Sequence, residues 1–374
     1  MVKSENSWIK SPRYDLAFIL FPPFACLLVI YFFPNLFLNE KNESELLWFL
    51  LIVCIDVGHV YSTIYRTYMD KETIQKNRML FFLSPLLLYL TGVMLHSIHP
   101  IFFWRAMAYL AVFHFIRQQY GFMRLYSRNE KQNQLFRKID ALTIYTATLY
   151  PILYWHIQGK QNFNWFIEND FLYLNKPQLT PFFYSIYLSI LAIYLTKEIF
   201  LVFTEKKFNL PKNLLMSGTI VSWYMGIVYF KGDLTFTLLN VVSHGIPYYA
   251  LVWAYGNNQQ KKITAKENWM KLFFKPKNIF LFVGFLIILA YLEEMLWDGL
   301  IWKEHISVFP LSTILPDLTG LKSLASLVIP LLALPQLLHY FIDGFIWKMK
   351  KDEFGWSTFL FSKSKVIQSD NLKA

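Results

Sequence analysis

The sequence predicts an all-α, polytopic integral membrane helix bundle of about ten transmembrane helices, with both termini on the cytoplasmic side. Three observations carry that expectation. Charged residues make up only 16% and hydrophobic ones 55% of the 374-residue chain, whereas a soluble domain has roughly 25% charged. Long stretches contain no Asp, Glu, Lys or Arg. The basic residues gather in alternate connections between those stretches, as they do in cytoplasmic loops.

The first apolar run begins at Leu16, after a polar segment, and reaches Asn39. At about 20 residues it is long enough for a bilayer. It lacks the small-x-small exit of a cleaved signal, so it reads as a retained first helix. Further charge-free runs are Met79–Trp104, Ala141–Gly159, Pro177–Thr196, Asn213–Phe230, Leu234–Gln260 and Ser323–Ile342. Spans 46–66, 101–126 and 279–297 enclose charges: Asp56 in the first, Arg105 and Arg117 in the second, Glu293 and Glu294 in the third. Glu293 and Glu294, at the end of their span, read as facing water.

The loops set the sidedness. The N-terminal segment and the second, fourth, sixth and eighth connections hold most of the basic residues, including Arg66, Lys71, Arg128, Lys197, Lys212 and Lys266, and the tail after Lys348 continues the pattern. The opposite loops hold Lys41, Lys160, Lys176, Lys231, Lys303 and Lys322. The alternation predicts N-in/C-in, with residues 1–374 as one transmembrane domain in a bacterial-type cytoplasmic membrane. The net charge of +11 resides in these short loops, which argues against nucleic acid as a partner. Cys26 and Cys54 lie inside apolar runs and suggest neither a disulfide framework nor a zinc site.

Ionisable groups within apolar helices are costly and mark candidate sites. His96, His99, His156 and His305 fall near the predicted outer face. His59, His114, His244 and His339 fall inside helices, roughly 10–16 Å from the predicted cytoplasmic ends at ~1.5 Å per residue. Each has polar company at helical spacing. Asp56 precedes His59 by one turn, and Asp343 follows His339. Arg117 and Gln118 follow His114, and Asn240 precedes His244.

Imidazole is the commonest metal ligand, and a carboxylate or amide on its second nitrogen is the usual support. Each histidine taken singly is accounted for by a hydrogen bond across helices; four in one layer point to a metal. His59, His114, His244 and His339 are therefore the candidate ligands, with Asp56, Arg117, Gln118 and Asp343 as catalytic candidates. The expected function is a membrane-embedded, non-haem iron oxidoreductase acting on a lipid or isoprenoid, with an electron donor on the cytoplasmic side. The alternatives are a metal-free lipid acyl or group transferase using an Asp–His base, a bis-histidine haem protein and a proton-coupled transporter. Absence of an internal repeat weakens the last.

The segments DVGHVYSTIYRTYMD, FHFIRQQYGFMRLY and HYFIDGFIWK, which carry three of the histidines, match no family motif. In layout alone the chain looks like membrane non-haem iron enzymes with histidines on transmembrane helices, such as the bacteriorhodopsin-associated β-carotene dioxygenases and the membrane desaturases. The desaturase His-boxes are absent. Helix count and histidine spacing also differ from the dioxygenases, so the resemblance implies no residue roles.

Overall fold

A computed structural model describes residues 3–4, 7–38, 44–131, 133–159, 164–259 and 270–348. Lys41, Lys160, Lys266 and the tail lysines beyond Lys348 lie outside the described residues. The described residues form an all-α fold, apart from a short parallel pairing of β1 (Lys3–Ser4) with β2 (Lys207–Phe208). The main helices are α1 (Pro12–Leu20), α2 (Pro22–Phe32), α3 (Glu45–Arg66), α4 (Arg78–Ile98), α5 (Pro100–Tyr126) and α6 (Gln134–Gln158). They continue with α7 (Thr180–Thr204), α8 (Leu210–Trp223), α9 (Val242–Gln259), α10 (Ile279–Trp297), α11 (Lys322–Leu332) and α12 (Leu334–Ile346).

Local chemistry accounts for the ends and bends. Ser11 caps α1 by accepting from Tyr14 N at 3.3 Å. Asn133 caps α6 through Phe136 N at 2.8 Å, and Asn209 caps α8 through Lys212 N at 3.2 Å. These short oxygens satisfy donors that a helix start leaves open. The α1–α2 pair bends by 53° at Pro22–Pro23, and α11–α12 by 41° between Pro330 and Pro335, where proline removes a backbone donor. Phe49–Val57 within α3, and Thr237–Val241 just before α9, are wound with i→i+5 hydrogen bonds as π-helix. Gly58 follows the first of these. A Cβ there would come within 2.1 Å of the Tyr249 hydroxyl, which donates to Cys54 O at 2.9 Å.

The ten-span expectation is corrected here. Four helical stretches, Glu45–Arg66, Arg78–Ile98, Pro177–Thr204 and Pro276–Trp302, are long and apolar enough to cross a membrane, or six if each bent pair counts once. Helices α5 and α6 carry Arg105, Arg117, Arg137, Lys138 and Asp140, while α8 and α9 interleave Asn, Ser, Thr, Gly and His with their apolar residues. An absence of charge marks a buried core helix as readily as a membrane span. The charge-free part of α6 is the clearest case, burying Ile144, Ala147, Thr148, Tyr150, Ile152 and Trp155. With four to six candidate crossings instead of ten, loop alternation no longer assigns sides. The multi-pass N-in/C-in topology and its placement in a bacterial-type cytoplasmic membrane fall with it.

The chain divides into two compact units, Met1–Ser44 with Trp104–Pro247, and Glu45–Phe103 with Tyr248–Ala374. The first has an aromatic core in which Phe115, Trp155, Phe171, Trp223 and Phe236 pack together. It also buries an ionic network. Lys212 Nζ lies 2.8 Å from Glu198, 3.0 Å from Glu130 and 3.6 Å from Asp140. Lys197 pairs with Asp140 and Glu198, while Asn209 and Asn213 donate to Glu130 and Glu198. Burial works against the Lys212 ammonium. The carboxylates of Asp140, Glu198 and Glu130 outweigh it and hold its pKa well above the usual lysine value. Burial pushes the Glu130 carboxyl up, against the pull of Lys212. Lys197 and Lys212, expected as cytoplasmic loop charges, are thus interior residues.

In the second unit, Val53 and Val57 pack with Ala290 and Phe309, and Phe81 packs with Ile342 and Ile346. Glu293 is buried here, its Oε1 accepting from Trp297 Nε1 at 3.4 Å, and does not face water as expected. His96, expected near the outer face, is also buried, 2.9 Å from Ser326 Oγ.

Candidate metal centre

His59 and His339 come from α3 and α12. His59 follows directly on Gly58, where the π-wound segment gives way to α-helix. Its Nδ1 is 3.2 Å from Ile55 O. A carbonyl only accepts, so Nδ1 carries the proton and Nε2 the lone pair. Asp56 Oδ1 lies 3.8 Å from the same Nδ1, on a half-exposed side chain. His339 Nδ1 is 2.7 Å from Thr63 Oγ1, which is 2.9 Å from the Tyr248 hydroxyl. Tyr248 in turn donates to Asp343 Oδ1 at 2.7 Å. The two imidazole rings are 5.0 Å apart and nearly perpendicular, at 81°.

His114 and His244 come from α5 and α9. Their rings are 4.9 Å apart at 79°. Phe115 stacks on His244 at 3.7 Å and 6° between planes, fixing the imidazole by its face. Gln118 donates to His244 O at 2.8 Å, which anchors the backbone of α9 at that turn.

The four histidines form one buried group. Each offers a ring nitrogen such that all four lie within 4.8 Å of one another. Two nitrogens bound to one ion at about 2.1 Å are at most about 4.2 Å apart, so a contraction of a few tenths of an ångström closes the group on a metal. The arrangement can hold a divalent metal ion. It suits a bare ion better than a haem, because a porphyrin plane between any two of these nitrogens would displace the other two.

The catalytic candidates divide. Asp56 and Asp343 lie beside His59 and His339, at 3.8 Å in each case. Gln118 meets the backbone of His244 and not its ring. Asn240 donates to Phe236 O. Arg117 is exposed; it donates to the Tyr145 hydroxyl and lies 4.9 Å from the Tyr120 ring. Sequence reasoning missed Thr63, Tyr248 and Phe115. Thr63 and Tyr248 each stand four residues after a candidate ligand, the same spacing that marked Asp343, and a uniform search at that spacing finds them.

Comparison of the chain with protein families, curated proteins and solved structures finds no match. The expected membrane-embedded oxidoreductase acting on a lipid or isoprenoid is corrected by the fold. It required a ten-span bundle around an intramembrane site, and only four to six helices qualify as spans. The buried four-histidine group stands apart from that premise and suggests metal-dependent chemistry.

Proposed function

We propose that His59, His114, His244 and His339 bind a single transition-metal ion, that the metal is non-haem iron, and that the protein is a metal-dependent redox enzyme. The observation that carries this reading is the convergence of four buried imidazoles from four helices within 4.8 Å. Imidazole suits iron, copper, nickel and zinc. Structural zinc sites commonly recruit thiolates, and this donor set has none. The adjacent carboxylates of Asp56 and Asp343 favour iron, which tolerates mixed nitrogen and oxygen surroundings.

Bound iron supplies one-electron chemistry and a Lewis-acidic position. The chain supplies the rest. Ile55 O and Thr63 Oγ1 hold the Nδ1 protons of His59 and His339, leaving Nε2 of each as the ligand atom. Phe115 keeps water from one face of His244. Asp56, half-exposed and 3.8 Å from His59 Nδ1, is placed to accept a proton and pass it to solvent.

The test is metal analysis and a visible spectrum of the purified protein, with iron(II) reconstitution under anaerobic conditions. Stoichiometric iron without a Soret band is expected. A protein that takes up no metal after reconstitution overturns the reading. Zinc retained in preference to iron overturns the choice of metal and the redox assignment.

A further inference from the structure

We infer that Thr63 and Tyr248 are positioning residues that, with Asp343, dictate which nitrogen of His339 is presented to a metal. This rests on the metal-site reading above. The direction of every proton in the chain follows from counting donors. Tyr248 has one hydroxyl proton, and it goes to Asp343 Oδ1 at 2.7 Å. At the 2.9 Å contact between Tyr248 and Thr63, Thr63 must therefore be the donor. Its only proton spent, Thr63 Oγ1 can only accept at its 2.7 Å contact with His339 Nδ1. The proton is on Nδ1, and the lone pair is on Nε2. All members of the chain are buried or nearly so; Thr63 is 5% exposed and Tyr248 1%, so water cannot easily substitute for a missing hydroxyl.

Asp343 thus acts on His339 by two routes. It lies one helical turn away, 3.8 Å from Nδ1, and it terminates the hydroxyl chain that holds the Nδ1 proton. His59 lacks such a chain. Its Nδ1 proton rests on the backbone carbonyl of Ile55, which no side-chain substitution removes. Hydroxyl-dependent control of ligand geometry is therefore specific to His339.

The experiment titrates Co(II), whose visible bands report ligand number and geometry, into wild type, Thr63→Val, Thr63→Ser and Tyr248→Phe. Thr63→Val keeps the side-chain shape and deletes the middle of the chain. It should weaken Co(II) binding by about 10–100-fold, the usual effect of losing an outer partner of a ligand, and shift the bands. Thr63→Ser should restore both. Tyr248→Phe, which leaves the Thr63 hydroxyl in place without its acceptor, should fall between. A purely structural role would lower the melting temperature of the metal-free protein without moving the Co(II) bands. Wild-type affinity and spectrum in both Thr63→Val and Tyr248→Phe overturn this inference and leave the metal site standing. Absence of Co(II) binding in wild type overturns both. If Thr63→Val fails to fold, Tyr248→Phe decides by the same two readouts.

Discussion

The ionic network and the histidine group are both buried and polar, but they differ in how their charge is met. In the network, Glu130, Asp140 and Glu198 meet Lys197 and Lys212 at salt-bridge distance, and Asn209 and Asn213 take up further carboxylate oxygens. Charge is answered by opposite charge inside the cluster. The histidine group concentrates neutral lone-pair donors within 4.8 Å, and mutual repulsion keeps them from all being protonated together. Its natural complement is a cation. The contrast separates architecture from site: a self-compensated cluster holds helices together, whereas a cluster rich in lone pairs and poor in charge is built to receive something.

The largest expected effect tests the histidine side of that contrast. His→Ala at 59, 114, 244 or 339 should each reduce bound metal to a small fraction of wild type, measured on protein reconstituted in parallel. His99→Ala and His305→Ala should leave metal content unchanged. Equal metal content in all four inner variants would falsify the ligand assignment.

The network side should respond in stability instead. Lys212→Met leaves buried carboxylates without their central cation and should cost about 3–5 kcal/mol in chemical denaturation, with metal content per folded molecule unchanged. A loss below about 1 kcal/mol would show that the network is not self-compensating. The pH dependence has a definite sign. The folded-state pKa of Lys212 is raised above the ordinary lysine value of 10.5, so folded protein holds this proton more tightly than unfolded chain does. Its stabilisation is complete below pH 10.5 and is lost as pH rises through the folded value. The stability gap between wild type and Lys212→Met should therefore hold steady from neutral pH and narrow only above that point. A gap that closed on approaching pH 9 from below, about 1.5 units beneath the free-lysine value, would contradict it.

The smallest effect concerns Arg117. It is exposed and engaged with Tyr145 and Tyr120, so Arg117→Gln should change stability by roughly 0.5 kcal/mol or less and leave metal content untouched. A loss of metal in this variant would join Arg117 to the site.

What the sequence made legible was local. Asp56 and His59 share a helix face by spacing alone, as do His339 and Asp343, and each pair lies 3.8 Å apart. The pattern of apolar stretches located helices, but hydrophobicity does not record whether a helix meets lipid or other helices, which is why α6 with its buried Trp155 read as a membrane span. The partners of Lys212 were illegible for another reason. Glu130 and Asp140 lie far from it in sequence, and nothing in a lone lysine near a helix start tells a solvated loop charge from an interior one. Arg117 shows the converse error: placed by spacing one turn after His114, it projects elsewhere because position three and position four on a helix turn point in different directions.

The π-wound segment ahead of His59 has a consequence for how this chain tolerates insertions and deletions. A π-turn is an α-helix carrying one residue too many, and Phe49–Val57 absorbs that surplus before Gly58. Deleting a single residue there would let the segment rewind as ordinary helix. Everything downstream would then change phase by about 100° around the helix axis, and His59 and Thr63 would rotate out of register together. A point substitution in the same segment changes one side chain and keeps the phase. Single-residue indels between Phe49 and Val57 should therefore be far more damaging to metal binding than any conservative replacement within it, although none of those residues is a ligand.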